Sequence, residues 1–145
     1  MVDIDCLYYT DGACSCNPGN GAWGFIKVLP DTVIIKSSMV ECTTNNRMEL
    51  MAIIEAVRHS CGRNYKTIKI VSDSMYCINS YNNWRKIWWM AKSKDEETKN
   101  RDLWNELFTL VRDSGITIKF EWVKGHNGNK YNSMIDKVVQ AMSKG

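Results

Sequence analysis

The chain has 145 residues, 44% hydrophobic and 24% charged, with a formal net charge of +3. That is one domain's worth of chain, long enough to bury a core without a metal or disulfide staple. The charge permits an anionic partner without demanding one. No apolar run is long enough to span a bilayer, and the opening MVDIDC lacks the basic start and long apolar core of a secretion signal.

The first elements read as strands. Ile4 to Tyr9 is a hydrophobic run that ends at Asp11, followed by Gly12, Cys14, Cys16 and an Asn-Pro-Gly turn. Ala22 to Leu29 and Val33 to Met39 are β-branched or aromatic runs separated by Pro30-Asp31, a turn signal, so the three together predict an antiparallel meander. In the stretch TTNNRMELMAIIEAVRHSCG, Leu50, Ile53, Ile54 and Val57 recur at the spacing of an amphipathic helix, with Thr or Asn as cap and Gly62 as stop. Lys66 to Ser72 predicts a short central strand ending at a second acid, Asp73.

The aromatic segment Met75 to Met90 reads as helical, and Thr98 to Arg112 as a helix with Leu103, Leu107, Leu110 and Val111 on one face. Thr117 to Val123 alternates as a strand, Lys124 to Lys130 is a Gly-rich loop, and a last helix sets Ile135, Val138, Val139 and Met142 at core spacing. The order βββαβααβα is that of a mixed α/β layer fold, and strands joined through helices are expected to be parallel.

Six cysteines, at 6, 14, 16, 42, 61 and 77, form no C-x-x-C pair and accompany only two histidines. A zinc site is not expected; reduced thiols in a cytoplasmic protein are. The acids are more informative. Asp11 and Asp73 each end a predicted strand, Glu49 lies in the first turn of a helix, and Asp136 sits beside Ile135 in the last one. Sites in open α/β sheets form at the carboxyl ends of strands. If the first and fourth strands are neighbours, both Asp project at one sheet end, where Glu49 and Asp136 can approach from helices. Taken singly, each is an ordinary solvated acid; together they would repel one another unless a hard divalent cation holds them. Two such ions ~3.5–4 Å apart can activate water and stabilise the leaving oxygen of a phosphodiester.

The residues around these acids carry a resemblance. TDGACSCNPG, TTNNRMEL, SDSMY and WVKGHNGNKYNSMID, in this order and with His126 ten residues before Asp136, resemble the motifs of the type 1 ribonuclease H family over nearly the whole chain. The resemblance implies a single catalytic domain over residues 1–145 with an RNase H-like fold: a five-stranded mixed sheet, three strands antiparallel and the rest parallel, with helices on both faces. It implies endonucleolytic hydrolysis of the RNA strand of an RNA–DNA hybrid with two Mg²⁺ ions, Mn²⁺ substituting, leaving 5′-phosphate and 3′-hydroxyl ends. Asp11, Glu49, Asp73 and Asp136 match the metal-binding catalytic acids. His126 matches a loop histidine that assists proton transfer or product release, a role that suits an imidazole between glycines.

By the same match, Cys14, Asn17, Asn45 and Asn46 are candidates for reading the RNA 2′-hydroxyl. Met75 lies in the third motif, at a substrate-binding position. Tyr76 and Trp84 match aromatic positions of a DNA-strand channel, and Thr44 and Asn100 match positions that hold a DNA phosphate.

Several departures from the family pattern bear on affinity. Cys42 stands where relatives often carry an arginine, and Ser133 where many carry a glutamate beside Asn132. The segment NNWRKIWWMAKSKDEETKNR matches the family's basic protrusion but is shorter, diluted by Asp95, Glu96 and Glu97, with Trp88-Trp89 breaking the usual pattern. Weaker hybrid binding with a shallow salt dependence is the expectation. So is distributive cleavage by a monomer, since no N-terminal hybrid-binding domain is expected. Two alternatives remain open at the level of sequence. One is a catalytically weak hybrid-binding module on the same fold; the other is a different nuclease or strand-transferase on that fold, such as a relative that cuts DNA.

Overall fold

A computed structural model describes residues 3–16, 18–87, 100–125 and 129–144. Three strands open the chain: β1 (Cys6–Cys14), β2 (Gly19–Val28) and β3 (Val33–Thr43). They pair antiparallel as the predicted meander. The Pro30-Asp31 turn is closed by the Leu29 N–H donating to the Thr32 carbonyl at 2.9 Å. Helix α1 (Asn45–Ser60) follows, then β4 (Thr67–Ser72), α2 (Met75–Ile87), α3 (Arg101–Ser114), β5 (Thr117–Trp122) and α4 (Lys130–Ser143). The strands form one sheet in the order β3-β2-β1-β4-β5. As expected for strands joined through helices, β1 with β4 and β4 with β5 are parallel.

The sheet is covered on both faces because its central strands are apolar on both sides. Alternation along β1 sends Cys6 and Tyr8 to one face, where they join Phe25, Ile68 and Ile70 beneath α1 and α3 through Leu50, Ile53, Val57, Trp104 and Leu107. The other face of β1 carries Tyr9 and Ala13, which pack with Ala22 and Ile26 under Ile135 and Val139 of α4. Tyr8, Leu50, Ile53, Leu107, Ile135 and Val139 are at most 1% exposed. At roughly 1.5–3 kcal/mol per fully buried large side chain, these two layers supply most of the drive to fold.

Several boundaries differ from the sequence reading; β2 starts at Gly19 rather than Ala22, and β3 runs to Thr43 rather than Met39. β1 runs on to Cys14 rather than ending at Asp11, because its antiparallel partner β2 continues through Cys14↔Gly21, whereas its parallel partner β4 stops at Tyr9↔Val71. α1 starts at Asn45, capped by the Thr44 hydroxyl accepting from the Arg47 N–H at 3.2 Å. Glu49 is therefore its fifth residue, in the second turn and not the first. α3 starts at Arg101 because Asn100 takes a left-handed φ of 63°. Met90 and Thr98, the outer limits of the two predicted middle helices, lie outside the described residues.

Candidate functional site

The register of the sheet brings the first two acids together. Tyr9 is the partner of Val71, so two residues further on Asp11 and Asp73 lie abreast, just where the parallel pairing has ended. Glu49 arrives over Gly12. A Cβ built on Gly12 would lie 2.3 Å from the Glu49 nitrogen and from the Met48 carbonyl carbon, so only glycine lets the backbone of α1 come down onto β1 here. The fourth acid comes from the opposite face by the same device. Gly24 is the partner of Asp11, and a Cβ there would meet the Ile135 Cδ1 at 2.8 Å. α4 thus packs close, and Asp136, next to Ile135, reaches the Asp11 side chain.

Asp11, Glu49 and Asp73 each offer a carboxylate oxygen within 4.8 Å of the other two. Asp136 joins this cluster at Asp11 rather than through all three. Asp11 is 2% exposed. Its Oδ1 accepts from the Gly12 N–H at 2.9 Å, while its Oδ2 and the Oε1 of Glu49 are buried with no hydrogen-bond partner.

Burial first, then the charge of Asp73 and contact with Asp136, pushes the Asp11 carboxyl up to about 8. Burial, then Asp11 and Asp73, raises Glu49 well above the usual carboxylate range. The protein alone does not satisfy these oxygens. An all-oxygen, anionic donor set with orphaned lone pairs suits a hard divalent cation.

A second cluster lies beyond the N-terminus of α1. The Tyr76 hydroxyl, in the first turn of α2, accepts from Asn100 Nδ2 at 2.8 Å and from Trp104 Nε1 at 3.2 Å. Arg47 donates to Asn100 Oδ1 at 3.3 Å and grips Asp102 with both terminal nitrogens, at 3.0 and 2.7 Å. Tyr76, Asn100 and the Thr44 cap therefore lie in one neighbourhood. Arg47, which the sequence reading quoted but gave no role, is the cation that links them.

The remaining candidates divide. Asn45 and Asn46 are exposed on the first turn of α1, and Met75 is 55% exposed at the start of α2. Cys14 is half-buried, and its thiol is turned toward the carbonyls of Cys16, Gly19 and Thr43. Asn17, His126, Trp88 and Trp89 lie outside the described residues, as do the side chain of Trp84 and most of the segment matched to the protrusion.

The RNase H family model matches residues 4–144. A ribonuclease H of Caldicellulosiruptor saccharolyticus is 40% identical over 146 residues, covering 95% of each chain. One from Francisella philomiragia is 42% identical over 140 residues, covering 92% of this chain and 87% of that relative. Among solved structures, LC11-RNase H1 in complex with RNA/DNA hybrid superposes with a TM-score of 0.76 at 16% identity, covering 97% of both chains. The foamy viral protease-reverse transcriptase in complex with dsDNA superposes at 0.80 with 21% identity, covering 99% of this chain and 98% of that one. At those identities the structural matches speak for the fold.

Proposed function

We propose the function that follows from one premise: this chain belongs to the RNase H family, by the match over residues 4–144 and relatives about 40% identical over nearly their whole length. It is a metal-dependent nuclease of that family, and its proposed substrate is the RNA strand of an RNA–DNA hybrid. The observation that carries this reading is the three-carboxylate cluster with two buried, unpartnered oxygens.

In the proposed reaction, water adds to a phosphorus of the RNA strand and the bond to the 3′ oxygen breaks, leaving 5′-phosphate and 3′-hydroxyl ends. Asp11, Glu49, Asp73 and Asp136 would hold two Mg²⁺ ions, with Mn²⁺ as a substitute. When bound, these supply charge stabilisation at the attacking and leaving oxygens. The chain's own part is to hold that anionic donor set rigid at the sheet end and to orient the duplex across it. His126 would move a proton or speed product release. Cys14, Asn17, Asn45 and Asn46 would read the 2′-hydroxyl, which separates RNA from DNA. Met75, Tyr76, Trp84, Thr44 and Asn100 would hold the DNA strand. Arg47 supports that assignment by setting a guanidinium beside Asn100, where it is paired with Asp102. A monomeric, cytoplasmic catalytic domain over residues 1–145 completes the reading; among the described residues no helix is long and apolar enough to cross a membrane.

The test offers end-labelled RNA–DNA hybrid, single-stranded RNA, duplex RNA and duplex DNA, with Mg²⁺ or EDTA, to the wild type and to Asp73→Asn. Cleavage confined to hybrid RNA and lost with EDTA is the expected result. Asp73→Asn should retain the fold and lose more than about a hundredfold in kcat, since even outer partners of metal ligands cost about 10–100-fold. Cleavage of duplex DNA, or a fully active Asp73→Asn, would contradict the reading.

A further inference from the structure

Asp73 is held from three sides, and only some of the contacts come from its own elements. Before it, β4 pairs with β5 through Ser72↔Trp122, and the Val123 N–H donates to the Ser72 carbonyl at 3.0 Å. After it, Ser74 opens α2: its hydroxyl accepts from the Cys77 N–H at 3.1 Å, and its own N–H donates to Ser72 Oγ at 3.0 Å. The peptide plane between Asp73 and Ser74 is thus already held at its N–H by Ser72 Oγ. That plane is gripped by the Trp122 indole, whose Nε1–H donates to the Asp73 carbonyl at 3.2 Å.

Trp122 is 47% exposed, and its indole N–H finds its partner in the Asp73 carbonyl. Three residues on, Gly125 covers the side chain. A Cβ at position 125 would lie 3.1 Å from Asp73 Oδ2, 3.8 Å from its Cγ and 3.9 Å from its Cβ. The three nearest atoms all belong to the one acid.

We propose that Trp122 and Gly125 are positioning residues for Asp73, the first fixing its backbone carbonyl and the second setting the space left for its carboxylate. Through them the end of β5 sets the orientation of an acid that, with Asp11 and Glu49, would hold a divalent cation. The inference rests on the reading of the acid cluster as a cation site. It adds two residues that bind neither cation nor substrate and act through Asp73. Trp122→Phe keeps an aromatic ring but removes the donor. Gly125→Ala removes no contact and adds one methyl where the carboxylate must give way by a few tenths of an ångström.

The experiment titrates Mg²⁺, without nucleic acid, into ¹⁵N-labelled wild type, Trp122→Phe and Gly125→Ala. It follows the Asp73 amide and the indole N–H resonance that vanishes in Trp122→Phe. In the wild type both resonances are expected to shift with one midpoint. Each variant should weaken Mg²⁺ about tenfold, the scale on which partners of metal ligands act, with urea midpoints close to wild type. The Mg²⁺ concentration for half-maximal hybrid cleavage should rise in parallel, while hybrid affinity in EDTA stays unchanged.

Wild-type Mg²⁺ affinity in both folded variants, or an indole resonance indifferent to Mg²⁺, would overturn the proposal. Should Trp122→Phe fail to fold, Gly125→Ala decides alone. A wild type that binds Mg²⁺ with these linked shifts but cleaves no hybrid would sink the functional reading and leave the positioning role standing.

Discussion

Asp11 and Glu49 each bring a buried carboxylate oxygen that nothing in the protein satisfies, and this has a measurable cost without a cation. The folded-state pKa of Asp11 is raised from 3.8 to about 8, and Glu49 moves in the same direction. Between about pH 4 and pH 8 the folded state therefore keeps a proton that the unfolded state has released. Stability then falls as pH rises through that window, by an amount on the order of a few kcal/mol. Urea midpoints in EDTA should decline from pH 5 to pH 8, and Asp11→Asn should flatten that decline. Mg²⁺ should lift the wild-type midpoint most at the alkaline end, where it replaces the lost proton. Parallel pH slopes for wild type and Asp11→Asn would contradict the account.

The four acids could be singled out as candidates in the sequence because each borders a hydrophobic pattern, and the structure draws Asp11, Glu49 and Asp73 together with Asp136 at Asp11. The grip of Trp122 on the Asp73 carbonyl and that of Arg47 on Asn100 and Asp102 were not legible there. Both join residues about fifty positions apart, and no local pattern encodes such a meeting.

At the scale of elements, the site is made by two helices that descend onto the sheet where side chains have been removed from beneath them. Gly12 lies under α1 and Gly24 under α4, one on each face of the sheet. The element order and the parallel pairing were readable from periodicity, because apolar residues recur at 3.6 or 2.0 positions whatever the tertiary context. The ends were read less well. β1 passes through Asp11 because β2 keeps pairing with it after β4 has stopped, and only the sheet order reveals that. The close approach that Gly12 permits, that of α1, is likewise invisible until the elements are packed.

Gly12→Ala would place a methyl 2.3 Å from two backbone atoms of α1, which side-chain rotation cannot relieve. The expected loss is ~1–3 kcal/mol or more, or several degrees in Tm for a chain of this size. Divalent-cation affinity should fall with it, because Glu49 moves with α1. An unchanged Tm, measured by calorimetry in EDTA, would show that α1 yields more easily than its contact with the sheet implies.

For the whole molecule the governing quantity is how much positive charge is free to meet phosphate. The chain holds 19 Lys and Arg against 16 Asp and Glu. Several of those cations are already committed: Arg47 to Asp102, Arg58 to Glu55 and Glu106, Lys69 to Glu121 and Arg112 to Asp113. These pairs are surface-exposed and worth little to stability, but each lowers the local field that a duplex would feel. Arg47 shows the conflict most clearly, since the same guanidinium that reaches Asn100 is neutralised by Asp102. Hybrid binding should therefore release few counterions. Anisotropy of a labelled hybrid on the Asp73→Asn variant, from 50 to 200 mM KCl, is expected to give a log–log slope of about −2 to −4, as for a handful of phosphate contacts. Asp102→Ala frees Arg47, so it should tighten binding at low salt and steepen the slope by nearly one unit. A slope near −8 in the parent protein would mean that cations outside those pairs, such as those of the basic stretch around Arg85 and Lys86, dominate the encounter.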